Sequence, residues 1–239
     1  MVRENKALAI STSNEELDNR LGGGIPIPSL ILIEGDHGTG KSVLAQQLTY
    51  GALKNNMNVY SLTTENTVKD FLLQTKRLSI DMTSFFFKGK LKIFPVHIEG
   101  AKWAKRVAKY LLDIVGEFML RTVDYWDLMV IDSFSVLAVY ASINDVLDFI
   151  SRAKNITSRG KVIVFVVHPE ALTDDIMIRL RSECDGYIRL KPYSVGGMII
   201  KVMEIVKLRG ALGPVDSMIA FDVDPAFGIK IIPISLAKA

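Results

Sequence analysis

The sequence predicts an α/β fold, a single domain over residues 1–239 with a mostly parallel central sheet flanked by helices and a C-terminal antiparallel strand extension. Three observations carry this. Short, wholly apolar runs recur at Leu30–Ile33, Leu128–Ile131 and Val162–Val167, as in strands buried on both faces. Amphipathic stretches of helical length lie between such runs. Past residue 185 the alternation gives way to short strand-like runs separated by Gly and Pro.

Residues 14–24 read as a short polar helix ended by Gly22-Gly23-Gly24, and Pro26 and Pro28 then force an extended path. Ser29–Ile33 is the first buried strand. A helix is expected from Ser42 to Leu53, with Val43, Leu44, Leu48 and Leu53 on its packed side. Asn58–Thr63 is a strand, 67–78 a helix and Leu91–Val96 a short strand. Ala101–Arg121 is a long amphipathic helix, and the strand Leu128–Ile131 ends at Asp132. Helices over 143–158 and 173–183 bracket the strand Val162–Val167. Ile188–Leu190, Met198–Val206, Ser217–Phe221 and Ile229–Ile232 form the strand-rich tail. Internal repeats and low-complexity linkers are lacking.

Composition narrows the function classes. Of 239 residues, 49% are apolar and 23% charged, which suits a well-cored globular chain. The longest uninterrupted apolar run, Val162–Val167, is too short to cross a bilayer as a helix, so no membrane span is expected. The N-terminus lacks the apolar core of a secretory signal, which points to the cytoplasm. Net charge is only +3 and like charges do not cluster, so nucleic acid is not an expected partner. Cys184 is the only cysteine; it excludes an internal disulfide and reads as a buried structural thiol. Trp103 and Trp126 read as packing residues.

The chemistry centres on Gly35-Asp36-His37-Gly38-Thr39-Gly40-Lys41-Ser42, a complete phosphate-loop pattern with a strand before it and a helix after it. Its glycines let consecutive backbone N–H groups turn toward phosphate, and the following helix presents its positive end to the same anion. Lys41 is expected to reach the β- and γ-phosphates of ATP, and Ser42 to ligate Mg²⁺. Asp132, at the end of a buried strand, is the expected carboxylate holding Mg²⁺ through water. Glu65 lies just past the second strand, at the sheet edge where open α/β sheets bind ligands. It either positions or deprotonates an attacking water, as a catalytic residue, or caps the next helix. His168 directly follows a strand at the same edge and is either a phosphate sensor or a structural turn residue before Pro169. Alternation puts Lys207 and Arg209 on one face near Gly210, as a solvated strand end or as cations reaching a neighbour's phosphates.

Several stretches together resemble the KaiC branch of the RecA superfamily. They are Leu17-Asp18 before Leu21–Pro26, the phosphate loop, Leu62–Asn66, Val130–Ser133 and Val206–Gly210. Within that branch, Thr63–Thr67, Arg181–Asp185 and Asp222–Gly228 before Ile231–Pro233 are most similar to the archaellum accessory ATPase family, FlaH or ArlH. The resemblance covers about residues 14 to 239. It implies a RecA-like ATP-binding component of the motor that builds and turns the archaeal swimming filament, docked at the cytoplasmic face of the membrane. The partners it implies are a secretion-type motor ATPase, a ring scaffold protein and a membrane platform protein, with a homo-oligomeric ring and nucleotide-governed contact with the motor ATPase. In KaiC-like rings a Lys-x-Arg pair reaches the neighbouring subunit's nucleotide, and Lys207 and Arg209 match that pair.

One departure is informative. KaiC-like enzymes carry two adjacent glutamates after the second strand, whereas this chain has Glu65-Asn66, so slow or absent hydrolysis and a switch role are expected. The alternative is an archaeal RecA/RadA paralogue acting in DNA repair. It expects a helical domain before Leu21, for which there is no room, and basic loops after the Asp132 and Val167 strands. Ser133–Asn144 and His168–Asp174 contain no Lys or Arg.

Overall fold

The structure, a computed structural model, describes residues 8–96, 110–195 and 198–233. Its frame is a nine-stranded sheet in the order β11-β10-β9-β8-β3-β7-β6-β4-β5. The strands are β3 (Ser29–Gly35), β4 (Val59–Thr63), β5 (Leu91–Pro95), β6 (Leu128–Asp132), β7 (Val162–Val167), β8 (Gly186–Val195), β9 (Met198–Leu208), β10 (Met218–Asp224) and β11 (Gly228–Ile231). From β8 through β3 to β5 every pairing is parallel; β8 to β11 are joined antiparallel. A separate two-stranded ribbon pairs β1 (Ala9–Ile10) with β2 (Ile25–Pro26).

The centre of the sheet is buried on both faces, so β3 must be apolar on both. Ile31 and Ile33 point to one core, Leu30 and Leu32 to the other. The first core is closed by α1 (Glu15–Arg20), α2 (Lys41–Lys54) and α3 (Val68–Arg77), through Leu17, Leu44, Leu48 and Phe71. The second is closed by α5 (Leu111–Thr122), α6 (Phe134–Ala138), α7 (Ile143–Thr157) and α8 (Asp174–Glu183). There Phe134, Phe149 and Phe165 pack ring against ring, the closest centroids 4.6 Å apart. Trp126 and Cys184 are fully buried in the same core, and burial pushes the Cys184 thiol up to about 12. Among the described residues no helix is long and apolar enough to cross a membrane.

Most elements fall where periodicity puts them, and a few differ. β8 runs to Val195, well past Leu190, because β9 pairs with it throughout and carries the polar stretch Lys191–Ser194 into the hairpin. The short helices α4 (Thr83–Phe87) and α6 have too few residues to show a period. The ribbon β1–β2 also escapes notice, because a two-residue strand carries no alternation. Residues 97–109, including the first part of the expected Ala101–Arg121 helix and Trp103, lie outside the described residues, as do 234–239.

The N-terminal segment is clamped by the C-terminal strands. Asn14 donates its side-chain amide to the Ile229 carbonyl at 2.7 Å, and the backbone N–H groups of Leu212 and Asp216 donate to the carbonyls of Gly22 and Arg20. Arg20 also pairs with Asp216 at 3.0 Å. The same segment presses on α2, where a Cβ at Gly51 would land on the Ser11 carbonyl oxygen. In an open helix, Gly→Ala stabilises by about 1 kcal/mol. Here Gly51→Ala is expected to have the opposite sign and to destabilise by roughly 1–3 kcal/mol, read as a lower denaturation midpoint.

Candidate nucleotide-binding site

β3 ends at Gly35, and after five intervening residues α2 begins at Lys41. Gly40 makes the turn with φ 97°, in the left-handed region, and a Cβ there would sit 3.4 Å from both the Phe221 ring and Val223. No side chain caps α2, so its first N–H groups face the open loop, the arrangement that receives phosphate. Lys41 is buried and donates to the Asp36 carbonyl at 2.6 Å, bent back across the loop. Burial lowers its pKa, and Asp132, Asp36 and Glu65 counteract this. The Thr39 hydroxyl closes the same turn on the Asp36 carbonyl at 2.8 Å.

The ends of β4, β6 and β7 bring the remaining candidates to this edge. Asp132, the last residue of β6, hydrogen-bonds the Ser42 side chain. Its carboxyl is pushed up to about 6, chiefly by burial, with Glu65 adding to the shift and Ser42 and Lys41 opposing it. A carboxylate whose charge is disfavoured in this way, beside a hydroxyl at the head of α2, fits a divalent cation that would restore the charge balance. Ser42 and Asp132 are the residues that would hold Mg²⁺, which when bound neutralises phosphate charge.

Glu65 is exposed, with its Oε1 3.9 Å from His168 Nε2. It does not cap α3: Thr67 does, accepting from the Asp70 N–H. His168 directly follows β7 with its backbone N–H donated to Ser135 Oγ at 2.7 Å, which fixes the turn. Its ring stacks on that of His37 at 4.3 Å between centroids, and its buried Nδ1 has no hydrogen-bond partner. Burial lowers the His168 pKa, followed by the nearby Lys41 and His37. His37, Gly38, Lys41, Ser42, Glu65, His168 and Lys201 thus line one hollow over the loop.

Lys207 and Arg209 are not brought to this hollow. β9 runs antiparallel to β8, so they lie at the opposite edge of the sheet. The Arg209 N–H donates to the Asp185 carbonyl, level with Leu30 rather than Gly35, roughly 16 Å along the strand from the loop. Lys207 donates to the Ser182 carbonyl at 2.9 Å, and Arg209 is exposed.

Two groups escaped the sequence reading. The first is Glu34, buried at the end of β3, which accepts two hydrogen bonds from Arg181 (2.8 and 2.7 Å) and one from the Tyr187 hydroxyl (2.7 Å). Arg189 donates to Tyr187 and lies 3.6 Å from Glu204, and Lys191 pairs with Glu204 at 3.0 Å. The available signal was a carboxylate closing an otherwise apolar strand, which must find cationic partners. The second is an apolar hollow on the other side of the loop, lined by Pro192, Ile199, Phe221 and Ile232 with Lys201 and Asp222 at its rim. Lys201 is held by Asp222 at 2.9 Å. Its residues come from four separate segments, β8, β9, β10 and the residue after β11, so no local pattern marks it.

The chain matches the model of the KaiC ATPase family over residues 10–235. It is 40% identical over 233 residues to the archaeal flagellar ATP-binding protein FlaH of Sulfolobus acidocaldarius, covering 97% of this chain and all of that protein. To the protein of the same name from Methanocaldococcus jannaschii it is 33% identical over 225 residues, covering 93% of this chain and 94% of that one. The crystal structure of flagellar accessory protein FlaH from Methanocaldococcus jannaschii superposes with a TM-score of 0.82 at 30% identity, over 95% of this chain and all of that one.

Two outcomes follow from the electrostatics. Because the Asp132 carboxyl titrates higher in the folded chain than in the unfolded one, its charge weakens the nucleotide-free fold, fully so above pH 6. Nucleotide-free Asp132→Asn should therefore melt above wild type at pH 7.5, the gap shrinking between pH 6 and about 4. Arg181→Ala leaves the buried Glu34 without its bidentate partner and should cost about 3 kcal/mol in a denaturant titration.

Proposed function

We propose a function from one premise: the chain belongs to the KaiC family of ATPases and, within it, to the FlaH-type archaeal flagellar ATP-binding proteins. It is an ATP-binding regulatory component of the archaellum motor and assembly complex. It holds ATP with Mg²⁺, hydrolyses it slowly or not at all, and contacts the secretion-type motor ATPase according to the nucleotide it carries.

The observation that carries this reading is a complete phosphate loop with Glu65, exposed, as its one candidate base beside the metal-site Asp132. Glu65 leans toward His168, and Asn66 occupies the place of the second glutamate of KaiC-like enzymes. A bound γ-phosphate that persists holds an interface in one state, which suits a switch better than a turnover enzyme. The loop N–H groups and Lys41 bind the phosphates; Ser42 and Asp132 hold Mg²⁺. The apolar hollow of Pro192, Ile199 and Phe221 suits the base, and Lys201 at its rim suits the phosphates between.

The distance of Lys207 and Arg209 from their own loop supports a trans role, in which a neighbouring copy in a homo-oligomeric ring supplies them. Docking at the cytoplasmic face of the membrane then comes through the partners, the motor ATPase, the ring scaffold and the membrane platform. The DNA-repair alternative has no comparable support: the segments after β6 and β7 form α6 and a tight turn without a single Lys or Arg.

The test pairs nucleotide affinity with turnover on the purified chain, alone and with the motor ATPase. Wild type should bind ATP, turn it over negligibly and associate with the motor ATPase only when ATP is present. Lys41→Ala should lose ATP affinity roughly 10- to 100-fold and lose the association with it. Brisk turnover by the isolated chain would overturn the switch reading and make Glu65 a working base.

A further inference from the structure

The two stacked histidines over the phosphate loop are not accounted for by ATP binding as such. His37 is exposed on the loop itself, two residues after Gly35; His168 follows β7 on the far wall of the same hollow. Their rings stack at 4.3 Å with planes 30° apart, so they behave as one unit rather than as two independent side chains. A positive charge on one ring opposes a second on the other at that distance.

The surroundings decide when it accepts one. Lys41 in the loop and Lys201 on β9 face the hollow and oppose a positive charge on the rings. Asp36 beside His37, Glu65 after β4 and Glu170 after β7 favour it, Glu65 at 3.9 Å from His168 Nε2. Asp132 on β6 is occupied by Ser42. Burial and then Lys41 disfavour a proton on His168, and its Nδ1 is buried without a partner. An anion entering the hollow beside Lys41 reverses that balance. With the α- and β-phosphates cradled by the loop, the terminal phosphate of a triphosphate is the one that would lie toward Glu65 and the histidines on the far wall.

We propose that His37 and His168 act as one proton-sharing element that reads the γ-phosphate, so that ATP, and much less ADP, is bound together with a proton taken from solvent. The element makes the preference for ATP over ADP depend on pH. Imidazolium is the form that donates to the terminal phosphate, so its contribution is full below the free pair's pKa. It is lost as the pH rises through the raised pKa of the complex. This rests on the phosphate loop being the ATP site proposed above.

Titration of ATP and ADP between pH 6 and 8, with proton uptake measured by calorimetry in buffers of different ionisation enthalpy, tests it. Wild type should gain about tenfold in ATP affinity on going from pH 8 to pH 6. It should also take up roughly half a proton per ATP near pH 7, and ADP should gain far less. His37→Asn changes only an exposed loop residue and should cut both the slope and the proton uptake, as should His168→Asn. Equal pH slopes in wild type and His37→Asn, no proton uptake, or an ADP gain matching that of ATP would each overturn the proposal. Failure of wild type to bind ATP at any pH would instead remove the ATP-binding reading and this inference with it.

Discussion

The carboxylate of Glu34 is the point on which the phosphate edge of the sheet depends. It is buried next to Gly35, at the junction where the central strand becomes the loop. An ionised group in such a place is tolerable only with its lone pairs satisfied, and three donors from α8 and β8 satisfy them. The chain continues through Arg189 to Glu204 on β9. Helix, central strand and antiparallel edge are thereby fixed to one another at the level of the loop. Truncating the arginine is costly because the charge stays behind when its partner goes.

Above that anchor the site is arranged around unmet electrostatic demand. Lys41 is buried and spends its charge on a backbone carbonyl of its own loop. Asp132 resists ionisation, and His168 resists protonation with one ring nitrogen unpaired. Each of these is relieved by phosphate or by a divalent cation, so the nucleotide-free chain is poised for an anion and a metal together.

How much of this was legible depends on where the determining contacts lie along the chain. The parallel core was readable because a strand buried on both faces must be apolar at every position, as Leu30–Ile33 and Val162–Val167 are. The phosphate loop was readable because its glycines and lysine fall within one short stretch, Gly35–Ser42. Asp132 and His168 were placed by a simple rule, that polar residues ending buried strands meet at one edge. The network of Glu34 was not readable, because Arg181, Tyr187 and Arg189 lie some 150 residues away and alternate in a stretch with no pattern of its own. For Lys207 and Arg209 the residues were visible and their position was not. Only the antiparallel direction of β9 puts them at the opposite edge. The two roles left open for Glu65 narrowed for a local reason: Thr67 already supplies the helix cap.

The clamp between the N-terminal segment and the C-terminal strands bears on how the protein is made. Asn14 finds its acceptor 215 residues later, at Ile229, and the left neighbour of β3 is β8, which begins at Gly186. On a ribosome the first three-quarters or so of the chain therefore emerges with its central strand paired on one side at most. The carbonyl of Leu190, which closes on Gly35, and Phe221, which packs on Gly40, are still unmade. A nascent or prematurely ended chain carries the full phosphate-loop sequence without the walls that shape it. The shape of the phosphate loop is in this way a property of the finished molecule, because the strands that wall it are the last to be made.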